Sequence, residues 1–271
     1  MRAFVDQMKR EVILPQNPQR IISLVPSQTE LLFDLGLEDQ IVGRTKFCIH
    51  PQEKVKDKTI VGGTKHFRFD AIDALEPDLI IGNKEENYLE GIERLSAKYP
   101  VWMSDITTLV EAYEMIIQVG QLTETVDKAQ QLVDEVKKGF KQLYVNNIGK
   151  ERFLRVAYFI WQRPLMAAGS QTFIDEILTQ IGFENIFGDI ARYPEIQEET
   201  LVEAQPDAIL LSSEPYPFKE KHLSYFKELC PQSDVRLVDG EMFSWYGSRL
   251  TKATNYLSTL VEEMQATIKK E

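Results

Sequence analysis

The chain has 271 residues, 43% of them hydrophobic and 27% charged, with 14 Gly and 12 Pro. That composition is globular, allows one large domain or two modest ones, and excludes collagen-like and low-complexity chains. Acids outnumber bases 42 to 31, leaving a formal charge of −11, which argues against sequence-independent binding of nucleic acid, and no nucleic-acid partner is expected.

Two cysteines cannot form a disulfide framework. No apolar run reaches the roughly 18–20 residues that cross a bilayer, so the chain is expected not to span a membrane. Met1–Arg10 carries no apolar core of the roughly 7–15 residues found in a secretory signal. The protein is therefore cytoplasmic if this N-terminus is native. It is periplasmic or at the cell surface if a signal was removed.

Ile21-Ile22-Ser23-Leu24-Val25 reads as a buried strand stopped by Pro26. Ser27 or Thr29 then caps a helix from Glu30 to Leu35, which Gly36 ends, before a strand at Ile41-Val42. Strand, polar turn, helix and strand is the α/β pattern. A tight Gly62-Gly63 loop follows the strand Thr59–Val61, and its glycines let backbone approach a ligand closely. A short helix from Asp70 to Leu75, a strand Leu79–Ile81, a helix Glu90–Tyr99 and a strand Val101–Met103 continue the alternation.

From Thr123 to about Tyr144 the pattern changes. Apolar residues at Val126, Ala129, Val133, Val136, Phe140 and Leu143 are spaced as one helical stripe. Such a helix is a rod of roughly 30 Å, and Asn146-Asn147-Ile148-Gly149 ends it. Beyond it the alternation restarts at Leu154–Ile160, and a helix Phe173–Ile181 ends at Gly182. Asp70-Ala-Ile-Asp-Ala-Leu-Glu-Pro77-Asp-Leu-Ile-Ile is echoed by Glu199-Thr-Leu-Val-Glu-Ala-Gln-Pro206-Asp-Ala-Ile-Leu. The echo fits two similar lobes; it also fits a common helix-to-strand junction used twice.

Catalytic patterns are not legible. There is no G-x-S-x-G, and Cys48 and His50 stand two apart, facing away from each other in a strand or helix. Val61-Gly-Gly-Thr-Lys65 is not a phosphate-binding loop, and His50, His66 and His222 show no metal-ligand spacing. Three aromatic-bearing segments do follow strands: Trp161-Gln-Arg163-Pro-Leu-Met166, Glu214-Pro-Tyr216-Pro-Phe218 and Phe243-Ser-Trp245-Tyr246-Gly247. In open α/β sheets ligands bind beyond the carboxyl ends of strands, so these loops suit a bulky, flat, partly apolar ligand. Rings there can equally plug the lobe core.

Together these features resemble the helical-backbone substrate-binding proteins of ABC importers, and most closely the cobalamin-binding branch. Arg20-Ile-Ile-Ser-Leu-Val-Pro-Ser-Gln-Thr-Glu-Leu31 is similar to that branch's opening motif, and the likeness runs from about residue 18 onward. The resemblance implies an α/β fold of two lobes, residues 1–120 and 150–271, joined by a backbone helix at 121–149, with ligand in the cleft between them. It implies a binding protein rather than an enzyme, a monomer, no resident cofactor or metal, and a metal-chelate ligand such as cobalamin.

On that likeness Phe47, Phe67, Trp161, Trp245 and Tyr246 pack on the macrocycle. Lys46, Lys65, Arg163 and Arg249 meet its amide, phosphate or carboxylate groups, and His66, Met166, Tyr216 and Phe243 complete the lining. Asp70 and Glu199 fall where the family carries one acid per lobe for docking on the ABC permease, although Asp replaces the more usual Glu in the first lobe. Thr64–Phe67 stands where the branch often has a Trp. Two alternatives stay open. One is a ferric siderophore or haem, with Arg163 and Arg249 on acidic groups and Tyr246 or His66 at iron. The other is a cytoplasmic corrinoid-handling protein with no importer.

Overall fold

The computed structural model describes residues 1–147 and 153–268. The chain divides into two units. The first holds Met1–Ile106, Val110–Asp134 and Tyr246–Arg249; the second holds Thr107–Leu109, Glu135–Trp245 and the chain from Leu250 onward.

The first unit opens with an antiparallel hairpin that the sequence reading passed over, β1 (Arg2–Val5) and β2 (Glu11–Leu14), with Arg2 opposite Leu14. Buried Asp6 closes its turn by accepting from the backbone N of Arg10 at 2.8 Å and from its guanidinium at 2.9 and 2.7 Å. Then follow β3 (Ile21–Ser23), α1 (Pro26–Asp34), β4 (Ile41–Arg44), α2 (Gln52–Val55) and β5 (Thr59–Ile60). A small hairpin, β6 (Gly62–Gly63) and β7 (His66–Phe67), leads to α3 (Phe69–Leu75), β8 (Leu79–Asn83), α4 (Leu89–Ser96), β9 (Val101–Ser104) and α5 (Leu109–Leu122).

The sheet order is β5-β4-β3-β8-β9, with every pair parallel. Strands β3, β8 and β9 are buried at every position, as near-continuous apolar runs in a sheet covered on both faces should be. The chain starts at the middle strand, winds out to one edge, then returns and winds out to the other. The carboxyl ends beside that reversal are where such sheets take ligands.

Local chemistry corrects several expectations here. Neither Ser27 nor Thr29 caps α1: Val25 is the N-cap without a side-chain bond, and Pro26 fills the first turn, where its missing N–H costs nothing. Thr29 instead turns its hydroxyl back onto the Val25 carbonyl at 2.9 Å. The Gly62-Gly63 loop is a paired hairpin. Gly62 has φ +120°, and a Cβ there would lie 2.3 Å from the His66 carbonyl oxygen, so this glycine serves its own hairpin rather than a ligand. α5 was also missed.

The long helix α6 (Val126–Asn147) begins three residues later than predicted. Thr123 ends α5 rather than starting α6: its hydroxyl bonds the Val119 carbonyl at 2.8 Å, and Glu124 takes φ +59°, which breaks the helix. Gly120 lets α5 and α6 approach closely, since a Cβ there would lie 2.6 Å from that of Ala129. The stripe from Ala129 to Leu143 is buried, whereas Val126 is 43% exposed. The predicted stop at Ile148-Gly149 lies outside the described residues. α6 starts in the first unit and ends in the second.

The second unit contains β10 (Leu154–Trp161), β11 (Met166–Ala167), α7 (Phe173–Gln180), β12 (Phe183–Asn185) and α8 (Glu198–Ala204). It continues through β13 (Ala208–Ser212), a 3-10 turn Glu220–His222, α9 (Leu223–Leu229), β14 (Asp234–Val238), α10 (Glu241–Ser244) and α11 (Arg249–Ile268). Its sheet runs β11-β10-β13-β14, with β12 also on β10; only β11 is antiparallel. Thr172 caps α7, accepting from Asp175 N at 3.2 Å. The chain is thus α/β, with two α/β units and one long helix running between their sequences.

Candidate ligand-binding site

In the first unit the loop after β4 is anchored from beneath. Thr29 Oγ1 lies 3.0 Å and Thr45 Oγ1 3.2 Å from the Cys48 sulfur, and burial pushes that thiol's pKa up. The anchored loop presents Phe47, 49% exposed, with the Lys46 ammonium 4.9 Å from its ring centroid. Lys46 N donates to the Gly62 carbonyl at 2.8 Å, which joins this loop to the β6–β7 hairpin carrying exposed Lys65 and His66. Lys65 Nζ reaches the Glu85 carbonyl at 2.7 Å.

A buried polar network, missed in the sequence, braces the hairpin from the ends of β8 and β9. Gln28 Nε2 donates to Ser104 Oγ at 2.6 Å, Asn83 Nδ2 donates to the same oxygen at 3.0 Å, and Asn87 Nδ2 reaches the Thr64 carbonyl at 3.1 Å. The only legible signal was the presence of Asn83 and Asn87 after an apolar strand.

Three residues expected at the ligand are buried in this unit. Phe67 is 3% exposed and packs on Tyr88 and Phe69, with centroids 4.8 and 6.2 Å away. Its position in β7 alternates with His66, so one points in and the other out. Arg249 is buried and donates from Nε to Glu30 Oε2 at 2.8 Å, an internal ion pair. Tyr246, on the same short segment, is buried as well.

In the second unit the loop after β10 exposes Trp161 and Arg163; the indole N–H donates to the Arg163 carbonyl at 3.0 Å, and Met166 is half-buried. The loop after β13 sets Tyr216 beside Trp161, with ring centroids 5.3 Å apart. The segment after β14 turns inward instead. Phe243 is fully buried against Tyr158, and Trp245 is 6% exposed with its indole N–H on Glu214 Oε1 at 2.8 Å. Ser244 Oγ donates to the same carboxylate oxygen at 2.8 Å. Burial pushes the Glu214 pKa up, and neighbouring Glu241 and Asp239 add to this against the two hydrogen bonds. Of the three expected aromatic loops, the first exposes Trp161, the second half-buries Tyr216 and buries Phe218, and the third is buried.

Asp70 and Glu199 sit in the first turns of α3 and α8, both exposed; Arg68 is 4.0 Å from Asp70. Among the described residues no three His, Cys, Asp or Glu side chains cluster as metal ligands, and no helix is long and apolar enough to cross a membrane.

A family profile described as periplasmic binding protein matches residues 21–228. The chain belongs to the periplasmic binding protein family. Among its relatives is the uncharacterized ABC transporter substrate-binding lipoprotein YvrC of Bacillus subtilis (strain 168), 27% identical over 212 residues, covering 76% of this chain and 67% of that one. Another is a vitamin B12-binding protein of Pectobacterium carotovorum subsp. carotovorum (strain PC1), 26% identical over 243 residues, covering 89% and 87%. Among solved structures, the periplasmic vitamin B12 binding protein BtuF of Vibrio cholerae superposes with a TM-score of 0.79 at 21% identity, covering 93% of this chain and 99% of that one. The chain is a substrate-binding protein of this family.

Proposed function

We propose that this protein binds cobalamin or a related corrinoid and hands it to the permease of an ABC importer. One observation carries the reading: a relative named for vitamin B12 binding aligns along most of the chain. The chemistry of the loops supports it. Cobalamin presents a wide, flat corrin ring with amide side chains, and its nucleotide arm carries a phosphate. Phe47, Trp161 and Tyr216 offer rings to its apolar surface, and Lys46, Lys65 and Arg163 offer donors to its polar rim. His66 and Met166 flank those groups. Trp245, Tyr246 and Phe243, being buried, act by holding the loops that carry them. No step of this function is catalytic. The protein works outside the cytoplasmic membrane, where an importer receives its cargo.

The deciding experiment titrates cyanocobalamin into the purified protein and follows tryptophan fluorescence, corrected for ligand absorbance. Saturable, equimolar quenching is the expected result. No quenching and no retained ligand on equilibrium dialysis would sink the corrinoid reading. Saturation by haemin or a ferric siderophore in the same assay would establish the alternative cargo.

A further inference from the structure

A directed hydrogen-bond chain runs behind the Trp161–Tyr216 face. The 3-10 turn Glu220–His222 folds back so that the Lys219 backbone N–H donates to His222 Nδ1 at 2.8 Å. A neutral imidazole that accepts at Nδ1 carries its proton on Nε2. That nitrogen lies 3.4 Å from the Tyr216 hydroxyl, so it donates there. The hydroxyl in turn donates a hydrogen bond to Gln162 Oε1 at 3.2 Å. Gln162 neighbours Trp161, and His222 is wedged between Tyr216 and Phe218, with centroids 5.5 and 5.6 Å away. The ring is 8% exposed. Every link has a fixed direction, and together they bind the loop after β10 to the loop after β13.

We propose that His222 is a positioning residue for ligand binding: it fixes the Tyr216 hydroxyl, and through Gln162 holds Trp161 and Tyr216 as one preformed face. The proposal takes from the functional reading only that this face meets the ligand. Preformed contact surfaces bind more tightly because less side-chain freedom is lost on association. Burial, with Lys221 and Lys219 nearby, lowers the His222 pKa, which favours the neutral tautomer that the chain needs.

The test uses the full chain and two readouts. Trp161 is 38% exposed while Trp102 and Trp245 are 0% and 6%, so acrylamide quenching reports mainly on Trp161. His222→Ala should raise that quenching without ligand and weaken cyanocobalamin binding by roughly 3–10-fold, the span of one lost hydrogen bond. His222→Gln, whose amide N–H reaches the Nε2 position, should restore both. His222→Asn keeps the acceptor for Lys219 but cannot reach Tyr216, so it should behave as His222→Ala does. A His222→Asn protein matching wild type in both readouts overturns the proposal. Should His222→Ala fail to fold, Tyr216→Phe removes only the hydroxyl and must reproduce the rise in quenching; unchanged quenching also overturns it. If wild type binds no cyanocobalamin, the cargo reading fails while the quenching series still decides the role of His222.

Discussion

Arg20 and Asp78 hold each other by their backbones. Asp78 Oδ1 accepts from Arg20 N at 2.8 Å, and Asp78 N donates back to the Arg20 carbonyl at 3.0 Å. The Arg20 Nε then reaches over to the Leu75 carbonyl at 2.7 Å, at the end of α3. In the second unit Arg155 and Asp207 repeat this clasp: Asp207 Oδ2 accepts from Arg155 N at 2.9 Å, Asp207 N donates back at 2.8 Å, and Arg155 Nη1 reaches the Ala204 carbonyl at 2.9 Å. Even the helix ends agree, with Glu76 at φ +43° and Gln205 at φ +45° ahead of their prolines. Asp78→Ala and Asp207→Ala should each cost about 1–2 kcal/mol of the stability of their own unit, because each removes the carboxylate that accepts from the arginine backbone N–H while the backbone bond back to the arginine remains. Urea unfolding, with hydrogen exchange to locate the loss, checks this; a loss in the other unit contradicts it.

Phe47→Ala and Trp161→Ala should weaken cyanocobalamin binding by ~10-fold or more, as truncation of aromatic anchors does, with little change in stability. Phe67→Ala should do the reverse, costing about 3–5 kcal/mol of folding stability as a buried ring lost from a core. Calorimetric unfolding and fluorescence titration on the three variants separate the two groups.

Arg249→Ala should cost about 3–5 kcal/mol, because it removes the buried cation paired with the Glu30 carboxylate. Glu30→Leu combined with Arg249→Leu should recover most of that loss. A protein in which Arg249→Ala abolishes binding but keeps its unfolding midpoint would return this arginine to the ligand.

Glu214 sets a pH dependence. Its folded pKa lies above the ordinary carboxylate value, so its stabilising contribution is fully present at pH below that ordinary value. The contribution is lost as pH rises through the raised folded value. Glu214→Gln should therefore be more stable than wild type at neutral pH, and the difference should shrink as the medium is acidified toward pH ~4. A thermal-melt series across pH, showing a difference that instead grows on acidification, contradicts this.

Asp70→Arg together with Glu199→Arg should abolish delivery to the permease while leaving ligand affinity unchanged. Both acids are exposed on helix first turns. Cargo uptake into membrane vesicles bearing the permease, beside a titration of the same protein, checks it.

The alternation of apolar runs and glycine-closed helices made the sheets legible in the sequence, since Ile21–Ser23, Leu79–Asn83 and Ala208–Ser212 are buried at every position and are apolar up to the polar residue that ends each one. The β1–β2 hairpin was not, because its alternation covers only four residues a strand. α11 carries a buried stripe of Leu250, Ala253, Leu257, Leu260, Val261 and Met264 that directly follows the aromatic segment Phe243–Gly247. For the site, residue type suggested rings and cations, yet only packing tells which way a ring turns. Phe47 and Phe67 are both loop-proximal phenylalanines, and neighbours distant in sequence send one out and the other in. His222 was dismissed as a metal ligand; its role depends on Tyr216 and Gln162, the latter 60 residues upstream in the numbering.

The bond between Glu30 and Arg249 joins positions 219 residues apart, yet both belong to the first unit, which Tyr246–Arg249 completes. During synthesis the first unit thus waits for nearly the whole chain. At ribosomal speeds of about 5–20 residues per second, Arg249 is made roughly 10–40 s after Glu30.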